Sequence, residues 1–286
     1  MSKEIFVMQP SRARANEANL VNLDRDHPGF RDLAYRERRG HIARAALEFE
    51  EGQPIPTIEY TDEEHAVWQT VWQKLSPIHA RYACREYLDG LSHLPLRHDR
   101  IPQLADVSAQ LSQASGFRML PVAGLVTSQV FLTQLSRRVF LSTQYIRHSS
   151  RPLYTPEPDL IHEVVGHASS LCNPDLAALN QRFGEVAARA PAERIVELER
   201  LYWYTVEFGT VLQDGKPKAY GAGLLSSFGE LGRFATDAFL RPFDVESATA
   251  HAYDPTDYQK MLFFVPSLAF LRERLDRFFS DRFAVS

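Results

Sequence analysis

His162-Glu163-Val164-Val165-Gly166-His167 sets two histidines five positions apart, with a glutamate directly after the first. A zinc hydrolase of the HExxH kind needs a spacing of four, which stacks both imidazoles on one helical face with the glutamate beside them. At about 100° per residue, five positions put the rings roughly 140° apart on an ideal helix. Both reach one metal only if Gly166 lies at a helix end or at a local irregularity. The stretch reads as a metal site carried on a helix, and not as that zinc site.

Two histidines leave a divalent metal short of ligands. Downstream, Leu201-Tyr202-Trp203-Tyr204-Thr205-Val206-Glu207-Phe208-Gly209 holds one carboxylate in an aromatic and aliphatic run. A glutamate there is costly to bury unless it is paired or binds metal. Two histidines and one carboxylate on one face of an iron leave open positions, the arrangement of non-haem Fe(II) oxygenases. On spacing alone, the competing reading is a pair of core histidines and a glutamate on a solvated helix stripe.

The chain around this site is ordinary for a globular protein. Its 286 residues suit one large domain or two small ones, with 44% hydrophobic and 24% charged residues. A net charge of −4 gives no footprint for nucleic acid. No apolar run approaches the length of a membrane span, and Ile5 to Met8 is too short for a signal peptide. Cys84 and Cys172 are far apart, so no disulfide framework is implied, and Cys172 reads as an isolated buried thiol. The cytoplasm is the expected location.

Helical signals dominate. Thr61-Asp-Glu-Glu64 has the form of a capping box ahead of Val67, Val71 and Leu75. Leu176 to Ala190 carries helical spacing after Pro174-Asp175, and Ile195, Leu198, Leu201, Tyr202 and Phe208 suggest one long helix that delivers Glu207 to the interior. Pro266 opens a last helix through Leu268, Leu271, Leu275 and Phe279. Strand-like pieces are short: Arg118 to Val122, Lys218 to Tyr220, and Met261 to Val265. The expected fold is mainly α with a few short β-strands.

Longer words surround the metal motif. Thr143-Gln-Tyr-Ile-Arg147-His-Ser-Ser-Arg-Pro-Leu-Tyr154-Thr155-Pro156-Glu157-Pro158-Asp159 runs into it, and Glu207 is followed by Lys218-Ala-Tyr220-Gly-Ala-Gly223-Leu-Leu-Ser226-Ser227-Phe-Gly-Glu230. Earlier come Asp26-His-Pro-Gly-Phe30, Gly52-Gln-Pro-Ile-Pro56, Ile101-Pro-Gln-Leu, Gly116-Phe117 and Pro121-Val-Ala-Gly124-Leu125. In this order they closely resemble the catalytic domain of the pterin-dependent aromatic amino acid hydroxylases. The resemblance implies a polar N-terminal segment over 1–19 and a single catalytic domain over 20–286. Animal relatives add a regulatory domain before this domain and a tetramerising tail after it, and the expectation here is a catalytic domain alone, as a monomer or small homo-oligomer.

The resemblance implies Fe(II) on His162, His167 and Glu207, with a tetrahydropterin and O₂ as co-reactants. Arg147 resembles the arginine that clamps the substrate carboxylate, held by Asp159, while Thr155 and Ser226 add hydrogen bonds to the amino acid. Pro158, Trp203 and His162 resemble the walls around its ring. The pterin site is expected from Gly124 to Ser128, including Val126, with Phe131 stacked on the pterin. Glu163 and Tyr202 complete it near the iron as catalytic groups. Glu157 reads as structural, paired with the basic run Arg36 to Arg39. Leu141 stands where animal relatives carry a polar residue and Glu199 where they carry a small one, so the pterin type stays open. The segment His251 to Tyr258 resembles the substrate-selecting region and matches no relative cleanly.

Trp203 favours hydroxylation of phenylalanine to tyrosine. Arg147-His-Ser-Ser150 also resembles the tryptophan enzymes, so tryptophan 5-hydroxylation or meta-hydroxylation of phenylalanine is the runner-up. A zinc hydrolase with Glu163 as base and a non-catalytic helical module are the readings from other classes. Neither nucleic acid nor membrane is expected as a partner.

Overall fold

The computed structural model describes residues 21–283, so the polar segment 1–19 lies outside the described residues. The first half runs α1 (Leu33–Glu48), α2 (Asp62–Tyr82), α3 (Arg85–Ser92), α4 (Leu104–Ser115), β1 (Arg118–Pro121), α5 (Ser128–Leu135) and β2 (Val139–Ser142). A π-helical segment (His162–Ala168) follows and continues into α6 (Ser169–Leu171) and α7 (Pro174–Ala187). Next, α8 (Ile195–Tyr202) runs into a second π-helical segment (Trp203–Glu207). After β3 (Thr210–Gln213) and β4 (Lys216–Ala219) come α9 (Ala222–Ser226), α10 (Phe228–Leu231) and α11 (Phe234–Asp237). The chain closes with β5 (Phe239–Pro242), α12 (Val245–Ala250), β6 (Met261–Val265) and α13 (Leu268–Phe283).

The predicted capping box is present. Thr61 accepts from the Glu64 N–H at 3.2 Å, and the Glu64 carboxylate accepts from the Thr61 N–H at 2.8 Å. From that start α2 buries Val67, Trp68, Val71, Trp72 and Leu75. Asn173 caps α7 with Pro174 in its first turn, and the helix ends at Ala187, three residues short of the expected Ala190. The expected single helix through Phe208 is instead three pieces, a 3₁₀ turn (Ala192–Arg194), α8 and the second π-helical segment. The last helix starts two residues after Pro266.

Strands form two small sheets. β1 and β2 pair in parallel, and a four-stranded sheet has the order β4-β3-β6-β5, with β3 and β4 antiparallel and the other neighbours parallel. The β3–β4 hairpin turns at Asp214 (φ 52°) and Gly215 (φ 71°), the left-handed pair that an Asp-Gly turn favours. This hairpin places strand β4 at Lys216–Ala219, earlier than the expected Lys218 to Tyr220, because the Asp-Gly signal sets where the chain reverses.

Trp68, Tyr87, Phe117, Phe140, Phe183 and Phe263 are among the fully buried side chains of one continuous core. Cys84 and Cys172 are both buried and free. Among the described residues no helix is long and apolar enough to cross a membrane.

Candidate active site

The five-residue spacing is resolved by the helix type. In a π-helix each N–H bonds the carbonyl five residues back, so residues five apart stack as residues four apart do in an α-helix. The Ser169 N–H reaches the Val164 carbonyl in this way. His162 and His167 thereby bring their Nε2 atoms to 3.0 Å from each other. Glu207 ends a second segment of the same kind, where the Phe208 N–H donates to the Trp203 carbonyl at 2.9 Å. Gly166 lies within the first π-helical segment, a local irregularity of the kind the spacing required. A Cβ there would meet the Ala222 carbonyl oxygen at 2.7 Å, so the glycine allows α9 to lie directly against the histidine helix.

Glu207 closes the triad, with Oε1 3.0 Å from His167 Nε2 and Oε2 3.6 Å from His162 Nε2. Donors about 2.1 Å from a metal and at right angles to one another stand about 3.0 Å apart. Three such edges fit one face of an octahedral ion. Glu163 also has an oxygen within 4.8 Å of both imidazoles. Glu207, with an oxygen 3.0 Å from His167 Nε2, is the carboxylate placed to complete a candidate donor set.

Hydrogen bonding fixes the ligands in their metal-binding form. Ser226 Oγ donates to the Ala222 carbonyl at 2.7 Å and so accepts from His162 Nδ1–H at 3.0 Å. That leaves the His162 Nε2 lone pair facing the triad, as support behind a metal ligand should. Burial, opposed by Glu207, lowers the His162 pKa to about 4, which keeps the imidazole neutral. Burial pushes Glu207 upward too, but the two histidines outweigh it and hold the carboxyl below its usual range. Glu163 is the reverse case: burial and the neighbouring Glu207 charge push its carboxyl well up, toward the protonated form.

Arg147 and Asp159 form a buried bidentate pair. Arg147 donates from Nε to Oδ2 at 2.8 Å and from Nη2 to Oδ1 at 2.7 Å, and its backbone N–H also reaches Oδ2 at 2.8 Å. Asp159 Oδ1 further accepts from the His162 N–H at 3.3 Å, which ties the arginine to the start of the metal helix. Nη1 carries no hydrogen bond among the described residues and is the edge that could take a carboxylate. The expected partner of Glu157 is Arg39, whose guanidinium also lies 3.5 Å from the centre of the Tyr145 ring.

The other expected residues make hydrogen bonds within the protein. The Thr155 hydroxyl donates to the Glu157 carbonyl at 2.8 Å and stabilises its own turn. Ser226 serves His162, a role that the sequence did not suggest. The Tyr202 hydroxyl donates to Asn180 Oδ1 at 2.8 Å, and burial pushes its pKa well up. Its proton is committed, so Tyr202 contributes its ring and not an acid–base group. Pro158 accepts the Tyr145 hydroxyl on its carbonyl at 2.7 Å. Trp203, half-buried, donates its N–H to Gln259 Oε1 at 3.0 Å and stacks on Tyr253. Tyr253 lies in the segment His251 to Tyr258 that resembles the substrate-selecting region, while Gln259, one position beyond it, was not among the expected site residues, because a polar side chain in a loop carries no distinguishing signal.

The pterin candidates lie on one edge. Phe131 is edge-on to Tyr202 at 5.6 Å and to Phe140 at 5.3 Å, and Phe140 in turn contacts His167 at 4.6 Å. Gly124 lies in a bend without a positive φ, and a Cβ there would meet nothing within 4 Å. The space beside it is open, with half-buried Val126 and exposed Leu125 next in sequence. An open apolar edge next to a stacked phenylalanine fits a flat heterocycle.

Residues 12–284 match the family model of the biopterin-dependent aromatic amino acid hydroxylases. The chain belongs to this family. The hydroxylase is 46% identical over 260 residues to phenylalanine-4-hydroxylase of Caenorhabditis elegans, covering 89% of this chain and 57% of that protein. It is 44% identical over 258 residues to tyrosine 3-monooxygenase of Schistosoma mansoni, covering 88% of this chain and 56% of that one. The chain thus spans little more than half the length of these relatives. Among solved structures it resembles phenylalanine hydroxylase of Chromobacterium violaceum with bound iron(III) and 7,8-dihydrobiopterin, with TM-score 0.74, 30% identity, and 84% and 90% of the two chains covered. The cold-active phenylalanine hydroxylase of Colwellia psychrerythraea gives TM-score 0.72 at 34% identity, with 76% and 84% covered. The mainly helical fold with few short strands is the catalytic-domain fold of this hydroxylase family.

Proposed function

We propose that this hydroxylase converts L-phenylalanine to L-tyrosine, using Fe(II) on His162, His167 and Glu207 and a tetrahydropterin along Gly124, Val126, Ser128 and Phe131. The observation that carries the reading is the convergence of three donors, buried His167 and half-buried His162 and Glu207, 3.0–3.6 Å apart, next to the buried Arg147–Asp159 pair. Metal and reduced pterin, when bound, supply the activation of O₂ that ring hydroxylation needs. The residues do the rest. Arg147 takes the amino acid carboxylate on its free edge. Trp203 and Pro158 wall the ring, and the aromatic and aliphatic surroundings keep bulk water from the reacting face. Glu163 is buried beside the metal face, within hydrogen-bond reach of the Thr143 hydroxyl at 3.5 Å, and is the acid–base group nearest the iron.

Phenylalanine is favoured over tyrosine because the polar groups of the two proposed wall residues are already engaged. The Trp203 N–H is used by Gln259 and the Pro158 carbonyl by the Tyr145 hydroxyl. An apolar wall rejects an added hydroxyl by only about a hundredfold. Tyrosine 3-hydroxylation is therefore the second reading, supported by the 44% identity to tyrosine 3-monooxygenases. Iron(II)-loaded protein should be supplied with tetrahydrobiopterin, O₂ and equal phenylalanine, tyrosine and tryptophan, with products separated and identified by mass. Para-tyrosine as the dominant product is expected. Dihydroxyphenylalanine would establish the second reading, and 5-hydroxytryptophan or meta-tyrosine would overturn both.

A further inference from the structure

Glu199 lies outside the metal triad, the arginine pair and the aromatic wall, yet both its oxygens are engaged. Oε2 accepts from the Ser128 hydroxyl at 2.8 Å, and Oε1 accepts from the Tyr253 phenol. The partners are 71 and 54 positions away in sequence, so this bridge is a tertiary feature. Ser128 opens α5 on the edge assigned above to the pterin. The Tyr253 ring stacks on Trp203, with centroids 4.0 Å apart and planes 11° from parallel. From the other side, Gln259 holds the Trp203 N–H while its own amide donates to the Asp254 and Asp257 carbonyls, each at 2.9 Å. One connected set of contacts thus runs from Ser128 through Glu199 and Tyr253 to the wall of the amino acid pocket.

We propose that Glu199 is a positioning residue that couples the pterin edge to the amino acid pocket. Fixing a glutamate and a tyrosine in one arrangement costs conformational entropy. A ligand against Ser128 and an aromatic ring against Trp203 favour the same bridged arrangement, so whichever binds first bears that cost and the second binds more tightly. The inference rests on the ligand placement proposed above.

The test is an equilibrium titration of iron(II)-loaded protein without O₂, so that no turnover occurs. The dissociation constant of L-phenylalanine is measured by calorimetry with and without saturating 7,8-dihydrobiopterin. The unaltered protein is expected to bind phenylalanine about fivefold or more tightly with the pterin present. Linkage requires phenylalanine to tighten dihydrobiopterin by the same factor. In Glu199→Ala and in Tyr253→Phe the ratio is expected to fall to within about twofold of unity. Tyr253→Phe keeps the stack on Trp203 and loses only the hydroxyl, so it reports even where Glu199→Ala does not fold. A purely structural role would shift both constants together and leave the ratio intact. That outcome, or a ratio of unity in the unaltered protein, overturns the coupling while leaving the proposed function standing. Failure of the unaltered protein to bind either ligand overturns both.

Discussion

Asp159→Ala should be among the most damaging single substitutions outside the metal ligands, and its cost can be worked from the buried pair. Arg147 is 5% exposed and Asp159 is 0% exposed, so neither charge has water to fall back on. The substitution removes three hydrogen bonds to Arg147, at 2.7–2.8 Å, and the weaker contact with the His162 N–H. Bonds to a charged group contribute about 1.5 kcal/mol each at the low end, or about 4.5 kcal/mol for three. Removing one partner of a buried ion pair costs about 3–5 kcal/mol by itself, so the two routes agree. Against a total stability of about 5–15 kcal/mol this is a large share. Urea unfolding should therefore show a midpoint lowered by that free energy divided by the slope, with the slope itself unchanged. The double substitution Arg147→Met with Asp159→Leu should cost less than Asp159→Ala alone, because no charge is left unpaired. A single-variant loss under about 1 kcal/mol, or a double variant as unstable as the sum of its parts, would refute the reasoning.

Two further outcomes test the supports around the site. Ser226→Ala frees His162 Nδ1 and with it the tautomer that points Nε2 at the metal, so Fe(II) affinity in chelator competition should weaken about 10–100-fold with little change in folded structure; unchanged affinity would remove Ser226 from the site. His79 predicts a pH effect on stability. Burial lowers its pKa from 6.5 to about 4, and its ring bonds the Leu225 carbonyl at 2.7 Å. The unfolded chain then binds the proton that the native state refuses. Its stabilising contribution is full above about pH 6.5 and is lost as pH falls toward 4, by about 2–3 kcal/mol at pH 4.5. His79→Leu should flatten that part of the stability–pH curve, and an unaltered slope between pH 7 and 4.5 would show that the ring is not buried neutral.

Local chemistry made part of this molecule readable. The Thr61–Glu64 box, Pro174 at a helix start and the apolar spacing of Leu268, Leu271, Leu275 and Phe279 act within a turn or two, so they survive translation from sequence to fold. The Asp214-Gly215 turn was equally local and would have located the β3–β4 hairpin. β2, β5 and the helices α9 to α12 were not legible, because elements of four to six residues have too little periodicity to stand out. In the site, His162, His167 and Glu207 were legible from their spacing and from a carboxylate set in an apolar run, while Arg147 and Asp159 were legible only through the family resemblance. The hydroxyls of Ser226, Thr155 and Tyr202 were not, since a hydroxyl can bond in any direction and only its neighbours choose the partner.

By itself the sequence pointed to a candidate donor set of two histidines and one carboxylate, because a glutamate in an apolar run is costly to bury unless it is paired or binds metal; Arg147 was singled out only by the family resemblance. Tertiary structure decided how the set closes. An interval of five between histidines permits an α-helix that splays the rings or a π-helix that stacks them, and the chain takes the π-helix where Gly166 lets Ala222 pack against it. The same holds for the bridge from Ser128 through Glu199 to Tyr253: no local pattern encodes it, since contacts between distant segments exist only once the core has brought those segments together.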